Sequence, residues 1–306
     1  MRVTVLHPIL PPAVELLSER GYELTVGEKN TPYAPDELHA LVSGACGIIA
    51  LLLDPVDERL FDAAGPQLKV VANMAVGYDN VDLEAARRRG VKISNTPDVL
   101  TPAVAEHTFA LILAVARRIV ESDRFVRSGG WRGWDPQLLL GTELHGKILG
   151  IAGPGRIGRA VGRIGEGFGM KVLYARRPEE LEQLLAQADV VSLHVPLRDE
   201  TRHLIGASEI ARMKETAILV NTSRGEVVDE GALLAALVNG AIAGAGLDVF
   251  ESEPDPLPGL LALENVVLTP HTASATVETR RAMSRLAAEN VIAALEGHEL
   301  PSEVSV

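Results

Sequence analysis

Apolar positions recur along this chain in two rhythms. Short unbroken apolar runs alternate with stretches in which apolar residues return every three or four positions. The first rhythm marks buried parallel strands and the second marks amphipathic helices. In the first hundred residues, VTVL at 3–6, GIIALLL at 47–53, LKVVA at 68–72 and VKIS at 91–94 read as strands. Residues 13–20 have helical spacing and end at Gly21, and 82–89 form a charged helix closed by Gly90. This repetition implies a parallel sheet covered by helices.

The pattern then changes. Residues 101–126 predict one long helix, with Thr101 as its N-cap and Pro102 at the first helical position. After the Gly/Trp-rich stretch 128–134 a second series begins, with strands at 148–152, 171–174, 190–193, 217–221, 244–249 and 266–268. Helices are expected between them, among them 156–168 and 179–187, and 274–295 is a final long helix. The pattern is that of an α/β protein whose two series join near residues 95–101. If the last helix packs back on the first series, that domain is discontinuous.

Composition narrows the function. The chain has 306 residues, 47% hydrophobic and 23% charged, which is globular rather than disordered. It has 29 Lys plus Arg against 41 Asp plus Glu, a formal charge of −12. That sign disfavours general affinity for nucleic acid or anionic membrane. The single cysteine, Cys46, excludes an intrachain disulfide and a multi-cysteine metal site, and no metal is expected. The opening residues MRVTVLHPIL do not read as a signal peptide, and the most apolar helical run, 109–120, is too short to span a bilayer. A soluble, cytoplasmic protein is expected.

Candidate chemistry begins at 147–158, KILGIAGPGRIG. Gly153, Gly155 and Gly158 form G-x-G-x-x-G, with Arg156 and Ile157 inside it, between an apolar strand and a helix. That context suits a dinucleotide: the glycines allow a tight turn and close approach, and the helix N-terminus offers N–H groups to a pyrophosphate. An NAD-type site usually ends the next strand with a carboxylate. Here that strand ends Tyr174-Ala175-Arg176-Arg177. Two guanidiniums suit a 2′-phosphate, so NADP(H) is the preferred cofactor, with NAD(H) possible. The alternative is a pair of solvated surface arginines.

Ligands in such sheets sit beyond the carboxyl ends of the strands. Beyond AILVN stands Arg224, beyond GLDVF stands Glu253 (with Glu251 as an alternative), and beyond VVLTP stands His271. Together these can reduce a 2-oxo acid. Arg224 can hold the carboxylate and polarise the keto oxygen, His271 can donate a proton, and Glu253 can orient the imidazole and favour its charged form.

The chain resembles the D-isomer-specific 2-hydroxyacid dehydrogenase family along its length. The matching motifs are NMAVGYDNVDLEAARRRG at 73–90, NTPDVLTPAVAEHTFALIL at 95–113, GPGRIG, ADVVSLHVPL at 188–197, MKETAILVNTSRGEVVD at 213–229, AGLDVFESEP at 245–254 and VVLTPHTASAT at 266–276. The resemblance implies two Rossmann-like, doubly wound parallel-sheet domains with a cleft between them. Residues 1–98 plus 277–306 would form the substrate domain and 99–276 the dinucleotide-binding domain. It implies Arg224, Glu253 and His271 as the catalytic residues, selecting Glu253 over Glu251. It further implies cofactor contacts at Pro196, Thr201, Thr222, Asp248 and Ala273, with Asp248 orienting the nicotinamide amide. Leu53, Val76 and Gly77 would meet the substrate, the last two holding its carboxylate by their N–H groups.

Within the family, NTPDVLT and GGWRGWDPQLLLG at 129–141 are similar to glyoxylate/hydroxypyruvate reductases. In such enzymes the second tryptophan, here Trp134, reaches the substrate pocket of a homodimer partner; the alternative is a tryptophan that anchors the long helix. The loops 51–54 and 74–77 carry no Lys or Arg, whereas a phosphate-bearing substrate would want a cation there. A small 2-oxo acid such as glyoxylate or hydroxypyruvate is therefore expected. D-3-phosphoglycerate dehydrogenase, whose relatives often carry an added regulatory domain, and a non-catalytic NAD(P)-sensing corepressor-like module are the alternatives. Phosphite dehydrogenases carry a lysine where Val76 stands. Two departures from the family are a shortened stretch between Arg177 and Asp189 and Pro154 within the glycine turn.

Overall fold

Runs of β-type residues flanked by turn formers become the strands of two separate parallel sheets in the computed structural model, which describes residues 1–305. The chain divides into two units, Met1–Leu100 with the segment from Ala275 onward, and Thr101–Ser274.

The first unit runs β1 (Arg2–Val5), α1 (Ala13–Glu19), β2 (Glu23–Val26), α2 (Pro35–Val42), β3 (Gly47–Ala50), α3 (Glu58–Ala64), β4 (Val70–Asn73), α4 (Leu83–Arg89) and β5 (Lys92–Ser94). Its sheet order is β2-β1-β3-β4-β5, every pair parallel. β3 and β4 are buried along their whole length, as central parallel strands covered on both faces must be. Asp57 and Asp82 start α3 and α4 by accepting from Leu60 N and Ala85 N, and Gly90 ends α4 in the left-handed region. The apolar pattern does not mark β2, because ELTV is a partly exposed edge strand. The strand expected at 47–53 stops at Ala50. The Asp54 carboxylate accepts from Leu51 N (2.8 Å) and turns the chain there into a loop.

The second unit runs α5 (Thr101–Ala116), α6 (Ile119–Arg127), β6 (Ile148–Ala152), α7 (Arg156–Gly167), β7 (Lys171–Ala175), α8 (Pro178–Gln187), β8 (Val190–Leu193), α9 (Ala207–Ile210), β9 (Ile218–Asn221), α10 (Glu230–Val238), β10 (Gly244–Leu247), α11 (Pro258–Leu261) and β11 (Val266–Leu268). The order is β11-β10-β9-β8-β6-β7, again all parallel. The single helix expected at 101–126 is in fact two. Arg118 between α5 and α6 is left-handed (φ 52°), and the Ala116 carbonyl accepts from Thr142 N instead of continuing the helix. One face of this sheet packs Leu149, Ile151 and Val220 against Phe109, Ile112 and Val161. The other packs Val191 and Leu219 against Leu184, Leu185 and Leu233. Each such side chain contributes about 1.5–3 kcal/mol when fully buried.

The last helix, α12 (Val277–Glu296), belongs to the first unit and packs on α1, β3, β4 and β5. Thr276 caps it and left-handed Gly297 ends it. In each unit the opening strand lies between the second and third strands, β1 between β2 and β3, and β6 between β7 and β8. That reversal is the switch point at which open α/β sheets take ligands. Among the described residues no helix is long and apolar enough to cross a membrane.

Candidate active site

Three loops leave the carboxyl ends of the adjacent strands β9, β10 and β11, and the residues expected from the sequence stand on them. Asn221, the last residue of β9 and buried, shapes the first loop. Its Oδ1 accepts from Ser223 N (3.0 Å) and Ser223 Oγ (2.8 Å), and its Nδ2 donates to the Arg224 carbonyl (2.7 Å). The Arg224 guanidinium is partly braced by Nη1 donating to the Ser223 carbonyl (2.8 Å). Gly225 then passes against the second loop: a Cβ there would lie 1.8 Å from the Phe250 carbonyl carbon, so only glycine allows the approach.

The second loop carries both candidate glutamates, and the structure separates them. Glu253 accepts from Phe250 N through Oε1 (3.2 Å), and its Oε2 lies 2.8 Å from His271 Nδ1. Glu251 instead meets His203 Nε2 (2.7 Å), and its own N–H donates to the buried carboxylate of Glu230 (2.8 Å). With Nδ1–H directed at Glu253, Nε2 of His271 has no hydrogen-bond partner among the described residues and is the atom open to a substrate oxygen.

His271 itself sits at φ 51°, a region costly for a side chain of its size. Asp248, fully buried, enforces it. Its Oδ1 accepts from Thr272 N (2.8 Å) and Thr269 Oγ1 (2.6 Å), its Oδ2 accepts from Ala273 N (2.8 Å), and its carbonyl accepts from His271 N (2.8 Å). His107 on α5 adds contacts to Thr269 Oγ1 (3.0 Å) and Asp248 Oδ1 (3.3 Å). Burial alone would raise the Asp248 carboxyl. The bonds from His107, Thr269, Thr272 and Ala273 outweigh it and hold the group below the usual range, so it stays ionised.

The expected phosphate turn lies at the switch point. Gly153 follows β6 at φ 89°, and a Cβ there would stand 2.5 Å from the His194 carbonyl beyond β8. Gly155 is the N-cap of α7 with no side-chain cap, and its Cβ position is open space, so no capping side chain covers the first-turn amides such as those of Ile157 and Gly158. This is a cradle that fits a dinucleotide pyrophosphate. Beyond β7 the two arginines differ. Arg177 pairs with Glu180 (2.6 Å), whereas the Arg176 guanidinium has no partner among the described residues. Pro196 and Thr201 are tied together, the Thr201 hydroxyl donating to the Pro196 carbonyl (2.6 Å), and Thr222 Oγ1 meets Thr108 Oγ1 of α5 (3.0 Å).

In the first unit, the carbonyls of Val76 and Gly77 are taken by Asn95 Nδ2 (2.8 Å) and Asn73 Nδ2 (2.9 Å). Their N–H groups donate to no protein acceptor among the described residues. Leu53 lies in the loop after β3 with intermediate exposure. Trp134 is 85% exposed, so within one chain it anchors nothing. Among the described residues no group of three or more His, Cys, Asp or Glu is placed to hold a metal.

The sequence pattern did not single out His107 or His194. A visible signal existed for the first: Glu106, His107 and Thr108 are a polar run that interrupts a mostly apolar helix. His194 meets Ser192 Oγ through Nε2 (2.8 Å), and loss of solvent lowers its pKa to about 3. Between pH 6.5 and 3 the unfolded chain therefore binds a proton that the folded chain refuses, and stability falls as pH falls, by about 1.4 kcal/mol per pH unit. His194→Gln, which keeps an acceptor near Nε2, should lose about 2 kcal/mol less than the native chain in urea unfolding between pH 6.5 and 5. Parallel losses in the two proteins would contradict the assignment.

Comparison with known proteins adds three findings. The family model described as the D-isomer specific 2-hydroxyacid dehydrogenase NAD binding domain matches residues 109–273. A glyoxylate reductase of Aeropyrum pernix is 50% identical over 322 residues, covering 99% of this chain and 96% of that protein. A solved protein of Thermus thermophilus has TM-score 0.95 and 47% identity with full coverage of both chains. An NADPH-dependent glyoxylate/hydroxypyruvate reductase of Sinorhizobium meliloti, solved with NADP and malonate, has TM-score 0.86 and 36% identity, with 99% of this chain and 96% of that one covered.

Proposed function

We propose a function from this premise: the chain belongs to the D-isomer-specific 2-hydroxyacid dehydrogenase family and is an oxidoreductase of that family. Its reaction is the reduction of a small 2-oxo acid of the glyoxylate type to the 2-hydroxy acid, with NADPH preferred over NADH. The observation that carries this reading is the 2.8 Å pair between His271 Nδ1 and Glu253, with Nε2 left uncommitted. The bound nicotinamide supplies the hydride. Arg224 grips the substrate carboxylate and polarises the keto oxygen, and His271 gives that oxygen its proton from Nε2. Glu253 fixes the ring's orientation by holding Nδ1, which leaves Nε2 turned to the substrate. Asp248 and Ala273 hold the loop under His271, and Asp248 is also the group assigned to the nicotinamide amide.

The second unit takes the dinucleotide and the first takes the substrate. The turn from Gly153 to Gly158 would hold the cofactor's pyrophosphate, and Pro196, Thr201 and Thr222 would flank it. Val76 and Gly77 N–H groups hold the carboxylate beside Leu53. The absence of Lys and Arg from 51–54 and 74–77 favours a small acid over a phosphate ester. The exposed apolar side chains of Ile119, Val126, Trp131, Trp134 and Leu140 support a homodimer in which Trp134 reaches the partner subunit. The working compartment is the cytoplasm.

The 2′-phosphate falls chiefly to Arg176, since Arg177 is shared with Glu180. Arg176→Ala should raise the KM for NADPH about 10- to 100-fold, the worth of one lost charge-assisted bond, with little change for NADH. Arg177→Ala should do less. Steady-state rates with glyoxylate, hydroxypyruvate and 3-phosphohydroxypyruvate, each with NADPH and NADH, test the whole reading. Oxidation of NADPH by glyoxylate or hydroxypyruvate is expected. A protein that oxidises neither nucleotide with any of them is not this enzyme.

A further inference from the structure

The first unit holds a buried titratable pair that the proposed reaction does not use. His7 and Asp54 are each 1% exposed, and His7 Nε2 lies 2.7 Å from Asp54 Oδ1. The other ring nitrogen, Nδ1, lies 2.7 Å from the Lys29 carbonyl. A carbonyl only accepts, so Nδ1 carries a proton. The second oxygen of Asp54 accepts from Leu51 N (2.8 Å). Both ring nitrogens and both carboxylate oxygens are thus engaged. A buried ion pair is seldom worth more to stability than well-packed apolar residues of the same volume, so its place in the fold is the more informative property.

That place is the switch point. His7 follows β1 and Asp54 follows β3, the neighbours between which the winding of the first sheet reverses. In the second unit the corresponding position is the glycine turn after β6. The first unit puts an imidazole and a carboxylate there, and hydrogen bonds run outward from them into two loops. Asn80 Nδ2 donates to the carbonyls of Asp54 (2.8 Å) and Leu51 (3.1 Å). Asn80 Oδ1 accepts from Asn73 Nδ2 (3.2 Å), and the same Asn73 nitrogen donates to the Gly77 carbonyl (2.9 Å). Asn73 is fully buried. From His7 and Asp54, through the carbonyls of their loop to Asn80 and Asn73, the bonds therefore end on the backbone whose Val76 and Gly77 N–H groups have no protein acceptor among the described residues.

We propose that His7 and Asp54 are positioning residues for the 2-oxo acid: through Asn80 and Asn73 they fix the 51–54 and 74–77 loops, and with them the aim of the Val76 and Gly77 N–H groups at the substrate carboxylate. This rests on the function given above for those loops. The pair acts by geometry, and a neutral pair of the same shape serves equally. In Asp54→Asn, the amide oxygen still accepts from Leu51 N and the amide nitrogen donates to Nε2 of a neutral His7, whose Nδ1–H still reaches Lys29. Asp54→Ala and His7→Phe remove the side-chain bonds that shape the 51–54 loop, whose main-chain carbonyls Asn80 holds, and Asn80→Ala removes the link between the two loops.

The test is steady-state kinetics with glyoxylate on variants shown by circular dichroism to be folded and by fluorescence titration to bind NADPH as the native chain does. Misaimed donors should raise the glyoxylate KM about tenfold or more in Asp54→Ala, His7→Phe and Asn80→Ala, with the NADPH KM unchanged and kcat moved far less. Asp54→Asn should keep the native glyoxylate KM to within about threefold. Should the buried-pair variants fail to fold, Asn80→Ala and Asp54→Asn carry the test by themselves. An unchanged glyoxylate KM in the folded path-breaking variants overturns the proposal, as does an Asp54→Asn protein impaired as heavily as one with the path cut. A native chain that reduces no 2-oxo acid takes down the functional reading and this inference with it, whereas an active native chain with indifferent variants takes down the inference alone.

Discussion

Arg224→Ala is expected to lower kcat/KM for glyoxylate by about four orders of magnitude, leaving NADPH affinity unchanged. Two losses combine. Removing a charged, hydrogen-bonded partner of a desolvated carboxylate costs about 2–5 kcal/mol, and removing one donor from a developing oxyanion costs about 10²- to 10³-fold in kcat. The first should appear mainly in KM and the second in kcat. The loop should survive, because Asn221 pins it through the Arg224 carbonyl and the Ser223 N–H, which alanine leaves in place. Arg224→Lys restores a charge without the planar fork and should recover only part of the loss. Steady-state kinetics over a wide glyoxylate range, with NADPH binding measured separately, checks this. A loss below about tenfold would mean that Arg224 is not the residue gripping the substrate.

His271→Asn should lower kcat by about 10²- to 10⁴-fold, the usual worth of a positioned general acid. Asparagine is the informative replacement because it tolerates the left-handed backbone that Asp248 imposes on this position. The turn, the thermal midpoint and NADPH binding should therefore persist while the proton donor is gone. The loss should fall on kcat far more than on the glyoxylate KM. A variant with near-native kcat would assign the proton to another group.

Much of this architecture is legible in the chain because central parallel strands must be apolar on both faces. The strands at 148–152 and 190–193 announce themselves for that reason and stand where the pattern puts them. Where burial is partial the signal fades, as in edge strand β2. The break at Arg118 is illegible for a different reason. It depends on Thr142, distant in sequence, capturing the Ala116 carbonyl, and no local propensity encodes that. The helix at 101–126 has good spacing throughout, and a tertiary bond divides it.

The candidate site shows the same division. Arg224, Glu253 and His271 are visible because each follows a strong strand, and residues beyond strand ends are where α/β sheets do chemistry. Choosing between Glu251 and Glu253 from spacing alone leaves both open. The separation comes from His203 and Glu230, which hold Glu251 elsewhere. Likewise Arg176 and Arg177 read as equivalents until Glu180 claims one of them. His7 and Asp54 are hidden altogether in the sequence, since a histidine after one strand and an aspartate after another become a pair only when β1 and β3 lie side by side.

The most direct measurement is a crystal structure of the protein with NADP and oxalate, an inert mimic of the 2-oxo acid. The account predicts an oxalate carboxylate forked on the Arg224 guanidinium, with an oxygen about 2.6–3.2 Å from His271 Nε2 while Nδ1 stays on Glu253. Oxalate bound away from Arg224, or an imidazole whose Nε2 points to no ligand oxygen, would contradict it.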